Sequence, residues 1–295
     1  MIATIQHAAG TAIKGDSRSC IATALQDGGL DYGIRRERLM TVPRDGVPQT
    51  IIPNRVSLFR DHDDGYLGTV GNDYEVVTNK DVFMPLDALV SSGDYTVDLV
   101  GEFGGGRKAF VLLKGEGLAN IFDVADNDQV GNYLLFSTAH DGHGSLKGAV
   151  IPYRFSCSNA IAGAMRASGV LSLVHNKSMK ERMGQLLSFV KEVPGHFAKR
   201  CEEFTYLSTR KPSLTWANVY LEKLGANNRV HKSVLGTPIA RTRNLKSWWT
   251  LYNGYNSYLN HEASTKPEAR LSSVLLGAST KRDTEALDLC LELAC

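Results

Sequence analysis

Within residues 133–166, YLLFSTAHDGHGSLKGAVIPYRFSCSNAIAGAMR, the side chains that carry chemistry crowd together: Ser137, His140, Asp141, His143, Arg154, Cys157 and Asn159. A cysteine near a histidine and an aspartate is the minimum for an activated thiolate, because the thiol needs a base and the base an orienting acceptor. Cys157 also sits where an apolar run meets a helical one, a place for a packing cysteine. His140-Asp141-x-His143 offers two imidazoles and a carboxylate, enough for an open metal site, and His175 follows as a further base. One function open to this cluster is therefore hydrolysis or nucleolysis at Ser137, His140, Asp141, His143, Arg154 and His175, with a divalent metal at His140 and His143. The competing account is that Asp141-Gly142 serves a turn that demands residues tolerant of positive φ, with both turn histidines facing solvent. No cofactor signature accompanies the cluster, and none is expected to bind.

Arg154 stands apart. Alternation along IPYRFS puts it on the strand face opposite Ile151, Tyr153 and Phe155, so it either pairs with a carboxylate of the fold or meets a bound anion. Asn159 falls in the expected first turn of the next helix, where it caps that helix or faces the same anion. A second constellation lies downstream. No acidic residue occurs between Leu224 and His261, while Arg229, Lys232, Arg241, Arg243 and Lys246 accumulate ahead of Trp248, Trp249, Tyr252, Tyr255 and Tyr258. Cations that track a backbone and rings on which bases stack are the two components of single-strand nucleic-acid binding. That pattern, joined to Arg107, Lys108, Arg154 and Asn159, predicts a nucleic-acid surface completed by Arg241, Arg243 and Lys246, with Trp249 or Tyr258 stacking. Against this, Trp248, Tyr252 and Tyr255 step at helical spacing, as the buried stripe of an amphipathic helix does.

The elements that must position these residues are legible from periodicity. Residues 1–50 read as an N-terminal extension with a short helix over 16–26 and a basic trio, Arg35, Arg36 and Arg38. From Ile51 the pattern is strand-like: RVSLFRD, the acidic turn DHDDG, then YLGTVGNDYEVVTN, after which Asn79 is placed to cap a helix. Asp61, Asp63 and Asp64 begin like a calcium loop, but the remaining ligand spacing is missing. Val97, Leu99, Gly101 and Phe103 alternate up to Gly104-Gly105-Gly106, and Arg107 to Lys114 returns as the second strand of a hairpin. A second hairpin pairs Tyr133–Ala139 with Leu146–Phe155, followed by a helix from Cys157 to Arg166 capped by Ser156 or Ser158. Beyond Ser168 the chain reads as helical, with a break at Pro194-Gly195 and helices over 214–224, 239–260 and 280–294. The expected architecture is α+β: a curved antiparallel sheet over about 51–177, with packed helices on one side and an extended helical region over 178–295.

Composition is that of an ordinary globular chain, 43% hydrophobic and 22% charged. The net charge of +2 hides an asymmetry: residues 1–177 sum to −4 and residues 178–295 to +6, which places an anionic partner in the second part. The five cysteines are scattered and lack zinc-type or disulfide-framework spacing. With no leader-like start and no membrane-length apolar run, the expectation is an unprocessed cytoplasmic protein without a membrane partner.

Several segments together resemble the phage/plasmid-like protein family, a domain of unknown function common in bacteriophages, plasmids and bacterial mobile elements. They are LGTVGNDYEVVTN at 67–79, Gly104-Gly-Gly-Arg107, Ser137-x-x-x-Asp141-Gly142, Pro152-Tyr-Arg154-Phe-Ser-Cys157-Ser-Asn159, His175, Asn253-Gly-x-x-x-Tyr258-x-x-His261 and Arg270-Leu-x-Ser-x-x-Leu-Gly277. The likeness covers roughly residues 30–294. It implies a bacterial host cytoplasm and a part in phage or plasmid DNA metabolism, or interference with a host system. The sheet-then-helix order is also similar, at the level of fold, to the single-strand annealing proteins of phage recombination, which implies a basic groove and homo-oligomers. A non-catalytic protein that assembles through amphipathic helices is the remaining alternative.

Overall fold

In the computed structural model, residues 13–14, 20–42, 44, 46–47, 50–155, 159–160, 170–173, 175, 184–237 and 245–295 are described. The strands are β1 (Ile13–Lys14), β2 (Ile34–Thr41), β3 (Thr50–Arg60), β4 (Tyr66–Gly71), β5 (Tyr95–Phe103), β6 (Lys108–Gly115), β7 (Ile121–Ala125), β8 (Asp128–Ala139), β9 (Leu146–Arg154), β10 (Asn159–Ala160) and β11 (Val170–Leu173). The helices are α1 (Ile21–Asp27), α2 (Asn79–Phe83), α3 (Asp87–Ser91), α4 (Gly184–Ser208), α5 (Leu214–Lys223), α6 (Asn228–Leu235), α7 (Trp248–His261), α8 (Pro267–Leu276) and α9 (Ala278–Leu293). The fold is α+β. An eight-stranded antiparallel sheet runs β1-β5-β6-β8-β9-β10, with β7 beside β8 and β11 beside β9, and a three-stranded sheet runs β2-β3-β4.

The large sheet is buried on both faces, which is why β8 is apolar along most of its length rather than alternating. On one face Val97, Val111, Leu134, Phe136 and Val150 meet α4, α7 and the short helices α1 and α2. On the other, Leu99, Phe110, Leu112, Leu135 and Ile151 meet Leu271, Val274 and Leu275 of α8. Helices therefore cover two sides, not one. α8 is a single short helix and leaves part of its face open.

Several local expectations shift. The Arg35, Arg36 and Arg38 trio lies on β2, which pairs with β3 from Ile34↔Arg60 to Thr41↔Thr50, so the small sheet reaches back into residues 1–50. Thr78 rather than Asn79 caps α2, closing a capping box with Asp81. Pro194 lies inside α4, which runs on through it instead of breaking. Asn159, expected in a helix, lies in β10 opposite Arg154, because the end of β9 offers ladder partners there; Cys157 and the rest of the expected helix lie outside the described residues. No helix among the described residues is long and apolar enough to cross a membrane.

Candidate functional site

The open part of the sheet face beside α8 is a groove. It consists of three adjoining depressions of about 440, 80 and 250 Å³; the first two share Lys108, and the second and third share Ser137, Lys147 and Leu276. Strand register builds its floor. Phe110 pairs with Ser137 and Ser137 with Lys147, while Lys108 pairs with Ala139, so Lys108, Ser137 and Lys147 share one face of adjacent strands. The turn that lifts Arg107 above this floor needs three successive residues with positive φ, at 65°, 67° and 86°, which glycines 104–106 supply. The His140 amide donates to the Arg107 carbonyl at 2.8 Å and ties this turn to the Asp141 turn, bringing Arg107 and Asp141 to one rim.

The opposite rim is the α8–α9 corner. Lys266, Glu268 and Ser272 face the first depression, and Thr280, Lys281 and Thr284 the third. The corner is tight: Gly277 joins the helices directly, the Ser273 and Ser279 hydroxyls meet at 2.8 Å, and Thr280 donates to the Val274 carbonyl at 2.7 Å. The walls carry five cations, Arg107, Lys108, Lys147, Lys266 and Lys281, against two carboxylates, Asp141 and Glu268. Lys281 has Glu285 at 4.0 Å. Among the described residues no carboxylate forms an ion pair with the other four cations. His143 lines the middle depression, and its amide donates to Asp141 Oδ1 at 2.9 Å in a side-chain-closed turn.

Of the residues singled out in the sequence, Arg107, Lys108, Asp141, Ser137 and His143 thus converge on the groove. His140 and His175 do not. His140, just past the end of β8, is 1% exposed on the inner side of the sheet, where its Nε2 lies 2.8 Å from Asn79 Oδ1; Asn79 in turn donates to the Leu30 carbonyl at 3.0 Å. Burial, with His175 nearby, holds its pKa down at about 3, so it stays neutral near pH 7 and is a poor proton acceptor. His175 is buried too: it lies 3.3 Å from Thr138 Oγ1 and stacks on Tyr74 with ring centroids 5.0 Å apart, and burial lowers its pKa against the opposing pull of the Glu75 backbone and Asp141. No group of three or more His, Cys, Asp or Glu able to hold a metal occurs among the described residues.

Arg154 and Trp249 come together elsewhere, around one internal carboxylate. Asp128 accepts from Arg154 Nε at 2.6 Å and from its terminal nitrogen at 2.7 Å, while the Trp249 indole N–H donates to Asp128 at 2.7 Å and the guanidinium lies 5.8 Å from the indole ring. Trp249 is 1% exposed, so neither ring face is presented to a ligand here. Tyr258 is half-buried against Tyr255. Lys246 is exposed ahead of α7; Arg241 and Arg243 lie outside the described residues.

The sequence matches the family described as Domain of unknown function (DUF932) over residues 66–276, more than two thirds of the chain. The chain belongs to this family. Its matched span contains the sheet floor of the groove and α8, and omits only Gly277 and the α9 residues of the third depression. No curated protein and no solved structure matches the chain.

Sequence reasoning missed Lys147, Lys266 and Lys281. The first had a usable signal, since closing the hairpin at 141–144 sets Lys147 against Ser137. The other two arrive from the two helices of a corner more than 100 residues from the floor, for which the sequence carried none.

Proposed function

We propose that this protein binds single-stranded nucleic acid along the basic groove, in the service of a phage, plasmid or similar mobile element inside a bacterial cell. The observation that carries the proposal is the set of five cations, Arg107, Lys108, Lys147, Lys266 and Lys281, on the floor and both rims of one groove over the sheet. Four of them, all but Lys281, form no ion pair with a carboxylate among the described residues, and such cations retain their attraction for phosphates, whose condensed counterions they release on binding. The mobile-element setting rests on the segments shared with the phage/plasmid-like proteins, and an annealing or recombination role on analogy of fold alone.

Homo-oligomers belong to the same proposal. Met40, Val42, Val47 and Ile51 are exposed at the far end of the β2–β3 hairpin, and a two-stranded arm is marginally stable without a partner. Of the residues of the hydrolase alternative, Ser137, Asp141 and His143 line the groove, whereas His140 and His175 lie on the other face of the sheet.

The test is titration of a labelled oligothymidylate over a range of salt. Four to five groove cations predict a slope of log affinity against log salt of about −3. Lys108→Gln with Lys147→Gln lowers the magnitude of that slope by about 1.4. Salt-insensitive binding, or none, overturns the proposal.

A further inference from the structure

With Trp249 sealed in the core, the groove needs a different ring if bases are to stack, and the surface supplies one. Tyr66, the first residue of β4, is 46% exposed. Its neighbour Arg107 belongs to the rim of the first depression, and the guanidinium lies 5.7 Å from the centre of the Tyr66 ring. The ring is held in place before any ligand arrives. Its hydroxyl lies 2.9 Å from Thr69 Oγ1, and Phe59 meets it edge-on with centroids 5.6 Å apart at 61°. An exposed aromatic already fixed by its neighbours loses little conformational freedom on stacking.

We infer that Tyr66 is the base-stacking platform at the entrance of the groove, with Arg107 contacting the phosphate of the same nucleotide; the inference rests on the single-strand reading above. Stacking on a ring is tolerant of base identity, because every base has a π-face, so a site of this kind takes any sequence. Beyond Phe59 the next guanidinium, Arg35, is already engaged by Asp64 at 2.5 Å and Glu37 at 2.7 Å, and Asp63 holds Arg60 at 2.6 Å. These carboxylates engage Arg35 and Arg60, so beside the Tyr66 ring it is Arg107 that offers a charge to a phosphate.

The experiment compares a fifteen-nucleotide oligothymidylate with an abasic oligomer of equal length and charge. The wild-type chain is expected to prefer the thymidylate, and Tyr66→Ala to lose about tenfold in its affinity while binding the abasic oligomer as before and keeping the salt slope. Tyr66→Phe restores the preference, since the ring and not the hydroxyl stacks; Arg107→Gln instead reduces the magnitude of the slope by about 0.7. A wild-type chain that binds thymidylate and a folded Tyr66→Ala that binds it equally well overturn the platform and leave the groove standing. A wild-type chain that binds neither oligomer overturns both.

Discussion

The role of Arg154 is decided by its partner. Among the described residues Asp128 accepts two bonds from Arg154 and one from the Trp249 indole, all between 2.6 and 2.7 Å, with the arginine side chain 16% and the aspartate side chain 10% exposed. Asp128→Asn keeps the shape and removes the charge. The new amide turns a donor towards the guanidinium or the indole, so at least one charge-assisted bond is lost, and a mostly buried cation loses the charge of this carboxylate. Breaking one partner of a buried pair costs about 3–5 kcal/mol, and the residual exposure of Arg154 places this case at about 3 kcal/mol. For a chain of this size that lowers the melting temperature by about 5 °C. Urea and thermal unfolding followed by circular dichroism read it out. Asp128→Asn combined with Arg154→Met costs less than the sum of the single changes, with a coupling of about 2 kcal/mol, because the double variant strands no charge. A cost below about 1 kcal/mol for Arg154→Met, accompanied by weakened oligonucleotide binding, refutes the structural role and returns Arg154 to the anion site.

Two further outcomes follow from the same geometry. Since burial depresses the folded-state pKa of His140 to about 3, the unfolded chain binds more protons between that value and the ordinary histidine range; stability is therefore full above about pH 6.5 and falls as the pH drops. The slope is up to about 1.4 kcal/mol per pH unit for this residue, increased by the same direction of shift at His175, and urea unfolding at pH 5 and 7 is flattened in His140→Asn. Gly68 packs on the Asp141 turn so closely that a Cβ would lie 2.7 Å from the Asp141 Cα, whereas a Cβ at Gly71 meets nothing within 4 Å. Gly68→Ala should cost about 1–3 kcal/mol by forcing β4 off the turn, with Gly71→Ala within about 0.5 kcal/mol of wild type by urea unfolding.

Where a local pattern and its long-range environment agree, the sequence was sufficient. The β5–β6 hairpin was legible because alternation ended at three glycines, and those glycines do adopt positive φ. The aromatic stripe of α7 was legible as well, but only burial decides between core and stacking surface, and it assigns Trp248, Trp249, Tyr252 and Tyr255 to the core. β2 escaped notice because most of the β2–β3 arm is exposed on both faces, so no apolar face selects an alternating pattern. Arg154 could be put on the correct face, yet its partner could not be found, since Asp128 lies in what reads as a polar loop and begins β8 only because Asn127 takes a φ of 58° in the turn before it.

The reactive cluster at 137–143 misled for a related reason. Residues crowded in sequence on a strand are divided by its pleat: Ser137 and Ala139 face the groove, while Thr138 and His140 face the core with His175. Density of reactive residue types along a strand is therefore no measure of a site. The groove draws instead on every second residue of three neighbouring strands, and it is closed by a helix corner that no strand pattern announces.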